Sequence, residues 1–235
     1  MKSLNDRELN DDRFETLGYN GHADDYKVDI KEIHGMSFVF VLKYDNAAYC
    51  VADTLAARGT FGNHKPETEK THKIVFDKTL NRFACFAGVL ATYNRKTIDI
   101  LENALLCFNT QDKKSWIRQL LANNILGQLV IPGDRIETVI VYEHEKLIKM
   151  TGAVFAKTLN GYEIGDCSDL DITPGEQQVV LGSYPNLKGK INIEKNNGIE
   201  DQMRKVAETV IAYDSIQKIG YITVGGNIEF CKISL

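Results

Sequence analysis

The side chains able to carry chemistry are sparse in this chain, and most of them sort quickly. Five histidines (His22, His34, His64, His72 and His144) form no i, i+4 pair and none adjoins a cysteine cluster, so no metal site is expected. Five cysteines (Cys50, Cys85, Cys107, Cys167 and Cys231) are an odd number at wide spacings without a CxxC, which argues against a zinc site and against a disulfide framework. Four of them lie in apolar runs and read as small core hydrophobes. Gly59-x-x-Gly62 and Gly225-Gly226 lack the strand-turn-helix setting of a phosphate loop and read as turns, and no cofactor is expected. Gly182-Ser183 follows the apolar run QQVVL as a nucleophile elbow would, but the residue two after Ser183 is Pro185 where that motif needs glycine. Among the hydroxyls, Ser37 stands at the head of an apolar run. A hydroxyl is a weak nucleophile at neutral pH unless a base lies beside it, so its use depends on what the fold brings near.

The elements that must position these residues are legible in the hydrophobic pattern. Residues 37–44 (SFVFVLKY) and 47–52 (AAYCVA) flank the turn pair Asp45-Asn46 as a hairpin. Their near-continuous hydrophobicity predicts strands buried on both faces. Residues 55–71 are loop-like, and 73–76 with 82–87 form a second hairpin closed by Gly88. A stripe of Leu90, Ile98, Leu101, Ala104, Leu105 and Phe108, with Ile100 outside it, predicts a helix. A second stripe of Trp116, Ile117, Leu120, Leu121 and Leu126 ends at Gly127. Strands return at 138–142, 147–155, 161–164 and 178–181, a third helix spans 199–217, and 219–224 with 228–233 close the chain as a hairpin. Hairpin-linked strands with grouped helices predict an α+β fold of antiparallel sheets covered by helices, rather than a doubly wound parallel sheet.

Length and charge exclude several classes. A chain of 235 residues with 43% hydrophobic side chains can bury a substantial core. No window approaches the roughly 18 apolar residues of a membrane span. The first residues, MKSLNDRELNDDRFETLG, are acidic where a signal peptide would be basic and then apolar, so a cytoplasmic location with no membrane association is expected. Residues 1–35 hold five Lys/Arg and nine Asp/Glu and leave 23 of each to the remainder, so the whole net charge of −4 belongs to this segment. The remainder is neutral and offers nucleic acid no electrostatic footprint. The expected organisation is an acidic extension or propeptide over 1–35 and a domain over 36–235.

The run from Ser37 through Ala52-Asp53-Thr54, Arg58-Gly59, Lys70-Thr-His-Lys-Ile74 and Phe83-Ala-Cys-Phe-Ala-Gly88 resembles the N-terminal half of the proteasome β-type and bacterial two-component heat-shock peptidase family. In that family a strand opening with threonine turns into a second strand ending Ala-Asp, and counting back from Asp53 places Ser37 at the threonine position. The resemblance implies a four-layer αββα sandwich of two antiparallel sheets flanked by helices, the N-terminal-nucleophile hydrolase fold. It implies a threonine-peptidase-like enzyme that cleaves peptide or other amide bonds, assembled as a homo-oligomeric ring around its peptide or protein substrate. Neither the subunit number nor an ATPase partner can be read from the chain. By the resemblance Ser37 is the nucleophile and its own α-amine, with an ordinary pKa of about 8, is the base. Lys70 supplies positive charge, Asp53 holds that lysine, and the Gly88 N–H serves the oxyanion, where a side chain would obstruct approach. Ser183 matches a supporting serine. Each also has a plainer reading: Asp53 as a turn cap, Lys70 as a solvated loop lysine, Gly88 as a helix start.

Three departures from the family pattern set the alternative. The nucleophile is serine, Met36 precedes it where self-processing members carry glycine, and the positions of the supporting Asp and Ser near the C-terminus read Tyr221 and Val224. The alternative is therefore a catalytically inactive structural subunit or binding module of the same fold. While residues 1–36 remain attached, Ser37 has an amide nitrogen and no base. Cleavage of Met36-Ser37, or initiation at Met36 followed by its removal, would free the amine.

Overall fold

The computed structural model describes residues 37–55, 57–58, 65–66, 71–89, 91–92, 95–167, 175–195, 198–216 and 224–235. Lys70, Tyr221, the 1–35 extension with Met36, the Gly59 and Gly62 turn, and His22, His34 and His64 lie outside the described residues.

Two antiparallel sheets carry the architecture. The first holds β1 (Phe38–Lys43), β2 (Ala47–Asp53), β8 (Gln177–Gly182) and β9 (Ile228–Ser234) in the order β8-β1-β2-β9. The second holds β3 (Ile74–Asp77), β4 (Arg82–Gly88), β5 (Arg135–His144), β6 (Leu147–Thr158) and β7 (Gly161–Cys167) in the order β7-β6-β5-β4-β3. Three helices accompany them among the described residues: α1 (Thr97–Leu106), α2 (Ser115–Ala122) and α3 (Ile199–Ile216).

The side-chain alternation of β1 shows how the layers stack. Val39 and Val41 join Phe83, Cys85, Ala87, Val139 and Val141 in an apolar core between the sheets. Phe38, Phe40 and Leu42 pack with Met203, Ala207 and Val210 of α3 on the opposite face. With a period of two, a strand covered on both sides must be apolar throughout, and all six residues of β1 are buried. A third core joins α1 and α2 to the outer face of the second sheet, through Ile100, Leu101, Trp116 and Leu120 against Phe86, Ile136, Ile140 and Phe155. The layers thus run helices, sheet, sheet, helix.

The two hairpins read from the sequence form as expected, with Val39 opposite Ala52 and Phe76 opposite Phe83. The first helical stripe is corrected: α1 begins at Thr97, and Ile100, assigned outside the stripe, is fully buried at its centre beside Leu101, Ala104 and Leu105. Two-residue ladder strands at Ala91–Thr92 and Arg95–Lys96 occupy the stretch before it, so the helical phase starts later than the apolar count from Leu90 implied. The closing strand β9 pairs with β2 along its length, Ile228 opposite Asp53, while residues 217–223 lie outside the described residues. Among the cysteines, Cys50 and Cys85 are buried in the inter-sheet core and Cys231 is half-buried, but Cys107 is exposed at the end of α1. Burial pushes the Cys50 thiol up, and the neighbouring Cys231 and Cys85 thiols add to the effect, so it behaves as a core hydrophobe. No helix among the described residues is long and apolar enough to cross a membrane.

Candidate active site

The ends of β1, β2, β4 and β8 meet at one end of the sandwich, and Asp53 is the centre of what they assemble. Its carboxylate is fully buried and accepts four hydrogen bonds. Oδ1 takes the Phe38 N–H at 2.8 Å and Lys73 Nζ at 2.6 Å, and Oδ2 takes the Leu55 N–H at 3.2 Å and the Gly225 N–H at 3.0 Å. A buried carboxylate is tolerated only when its lone pairs are filled and its charge is matched, and here both conditions hold. The turn at Gly225-Gly226-Asn227 is held against the same place, since the Thr54 N–H donates to the Asn227 carbonyl at 2.9 Å and Thr54 Oγ1 accepts the Asn227 N–H at 2.8 Å.

The cation on Asp53 is Lys73; Lys70, the expected partner, lies outside the described residues. Lys73 is fully buried, directly precedes β3, and its carbonyl accepts the Phe86 N–H of β4 at 3.1 Å. Its own N–H donates to Glu229 Oε2 at 2.9 Å, and Glu229 also contacts His72 Nδ1. A lysine joined directly to an apolar strand is carried into the core by that strand. That attachment is visible in the sequence, where Lys73 directly precedes the apolar run Ile74-Val75-Phe76.

Burial lowers the Lys73 pKa from the ordinary lysine value of 10.5, against the opposing pull of Asp53. Below 10.5 and above the depressed folded value, the unfolded chain binds the proton that the folded chain releases, so stability rises with pH across that window. Tyr44, pushed up to about 12 mainly by burial, acts in the opposite sense above pH 10, where the folded chain retains its proton. Urea melts run up to pH 10 are therefore expected to show stability rising with pH in the wild type, and a flatter profile in Lys73→Met.

Ser37 is fully buried at the head of β1. Its carbonyl accepts the Ser183 N–H at 2.9 Å, and the N–H of the next residue, Phe38, is the one that Asp53 takes. Gly182 has φ +92, and a Cβ there would lie 2.0 Å from the Ser37 carbonyl oxygen, so β8 meets the head of β1 at a point only glycine can occupy. Gly88 closes β4 next to Ala87, whose side chain lies against Gly182. Gly88 also has a packing reason to be glycine. Gly88 has φ +114, and a Cβ would fall 2.0 Å from the Arg135 carbonyl, so strand packing by itself requires it.

Two buried carboxylates escaped sequence reasoning. Glu137 of β5 accepts the Gly182 N–H at 2.9 Å. Asp214 of α3 accepts the Tyr184 hydroxyl at 2.5 Å and the Val224 N–H at 2.9 Å. Val224 is a fully buried apolar residue packed with Phe38 and α3, so the side chain at that position is structural. Asp214 ties the residue after Ser183 to the residue before Gly225. Glu137 lies 45 residues from Gly182, and Asp214 lies 30 from Tyr184 and 10 from Val224. A cavity of about 560 Å³ lined by Arg82, Phe108, Glu143 and His144 opens beside the β3–β4 turn and includes none of these residues.

No family model matches the chain, and no curated protein matches its sequence. Among solved structures it is similar to Thiobacillus denitrificans BPH in complex with epoxomicin, at 12% identity and a TM-score of 0.44, over 84% of this chain and 98% of that one. It is similar also to Thiobacillus denitrificans BPH alone, at 11% identity and a TM-score of 0.43 over the same shares.

Proposed function

We propose that the chain is a proteasome-like N-terminal-nucleophile hydrolase that cleaves peptide or other amide bonds with Ser37. The observation that carries this reading is the Asp53 carboxylate, which holds the Lys73 amine at the N–H that follows Ser37. Activation begins at the Met36-Ser37 bond. Ser37 Oγ adds to the Met36 carbonyl, the C–N bond breaks as nitrogen takes a proton, and water hydrolyses the resulting ester to leave a free α-amine. Removal of an initiating Met36 reaches the same product.

In turnover, Oγ attacks the substrate carbonyl while the α-amine takes its proton. The Gly88 N–H is the assigned donor to the oxyanion, and the Lys73 ammonium stabilises negative charge near Oγ. Collapse expels the substrate amine, which takes the proton from the α-ammonium. Water then cleaves the acyl-serine ester by the same base. The reading includes the αββα N-terminal-nucleophile fold, a homo-oligomeric assembly and peptide substrates.

A second reading, a catalytically silent structural subunit or binding module, is favoured by the full burial of Ser37 and by apolar Val224 at a supporting position. Amide hydrolysis by the purified protein decides between them. Activity is expected to disappear in Ser37→Ala and to persist in Ser37→Thr, with both variants melting near the wild type. A wild type without hydrolysis would establish the second reading, and hydrolysis that survives in Ser37→Ala would overturn Ser37 as the nucleophile.

A further inference from the structure

We propose that Glu137 is a positioning residue, a strut whose length sets the gap between the nucleophile strand and the Gly88 donor. The inference rests on the hydrolase reading for its consequence, and on geometry for its substance. Ser37 leads β1 in the first sheet, and Gly88 ends β4 in the second. The inter-sheet core that separates them is apolar, and apolar packing is non-directional, so it fixes the distance between two strand ends only loosely.

Besides the Lys73 N–H bond to Glu229, two side-chain links cross from sheet to sheet beside Ser37. One is Lys73 to Asp53, at 2.6 Å. The other is Glu137 to Gly182, at 2.9 Å. Glu137 alternates with Val139 and Val141, which places it on the inter-sheet face, and it stands opposite Ala87, one residue before Gly88. Its other oxygen, Oε1, is ion-paired with Arg135 Nε at 2.7 Å, and the Arg135 carbonyl accepts the Val89 N–H at 3.0 Å. The Glu137 side chain is therefore held by its own strand, β5, whose backbone ladder joins it to the Gly88 strand.

At the far end, Gly182 belongs to β8, an edge strand of its sheet, so its outward N–H has no ladder partner and takes Glu137 instead. The next N–H, of Ser183, holds the Ser37 carbonyl. Glu137 thus joins the Gly88 strand to the Ser37 strand through one side chain and one turn. A carboxylate with a 9% exposed side chain at this place is costly to bury unless both oxygens are used, and both are.

The test separates length from charge. E137Q keeps the length and an acceptor oxygen without the charge; E137D keeps the charge and loses a methylene. Crystal structures of the wild type, E137Q and E137D are expected to show the Ser37-to-Gly88 separation unchanged in E137Q and altered in E137D. Amide hydrolysis is expected to lose up to about 10²-fold in kcat in E137D with KM nearly unchanged, since a misplaced reacting group costs rate rather than binding. E137Q is expected to restore most of it. The reverse order, or an unchanged separation in E137D, would overturn the strut. If the wild type hydrolyses nothing while E137D still alters the separation, the hydrolase reading fails and the strut stands.

Discussion

Asp53→Ala is expected to cost about 3–5 kcal/mol of folding stability, the range for removing one partner of a buried ion pair. The loss has two sources. Lys73 is left as an uncompensated charge with no exposure, and the N–H groups of Phe38, Leu55 and Gly225 lose their acceptor. Lys73→Met is expected to cost clearly less, because Asp53 retains its backbone donors and a methionine stem fills the space of the lysine chain. The double variant is then more stable than Asp53→Ala alone, since the orphaned ammonium is gone. Urea melts of the four proteins measure this. Equal losses in the two single variants would mean that the carboxylate has no anchoring role beyond its charge.

Gly182→Ala carries the second large effect. Its backbone sits at φ +92, which costs an L-residue about 1–3 kcal/mol, and the added methyl would lie 2.0 Å from the Ser37 carbonyl oxygen. Because the obstacle is main chain, β1 and β8 must separate, breaking the bond from the Ser183 N–H to Ser37 and drawing Gly182 off Glu137. A total of about 3 kcal/mol or more is expected, with loss of hydrolysis before loss of fold. Gly189→Ala is the control: its φ is +70 and nothing lies within 4 Å of the added carbon, so only the backbone term applies. Thermal melts in which the two variants fall equally would remove the steric part of the argument.

The layered fold was readable because β1 and β2 are apolar on both faces, a pattern that only a strand enclosed between two layers needs. Phase was harder than existence. Ile100 was misplaced because short ladder strands separate Leu90 from the start of α1, so a stripe counted from Leu90 carries the wrong rotation into the helix. At the site, the Ser183 N–H bonds the Ser37 carbonyl and Asp53 accepts the N–H of the residue after Ser37. Lys73 was passed over because a spacing count ignores which side chain a strand carries into the core. Glu137 and Asp214 had no local signal, since each acts across a tertiary contact, 45 residues from Gly182 and 10 from Val224 respectively.

The central claim is that Ser37 works as a free N-terminal nucleophile, and the most direct measurement is the N-terminus and intact mass of the purified native protein before and after a peptide epoxyketone. That electrophile needs both groups at once: its ketone accepts Ser37 Oγ and its epoxide is opened by the adjacent α-amine, so the adduct carries the whole reagent with no leaving group. The account predicts a chain beginning at Ser37 that gains one reagent mass, and no gain in Ser37→Ala. A chain that retains residues upstream of Ser37 and gains no mass would contradict it.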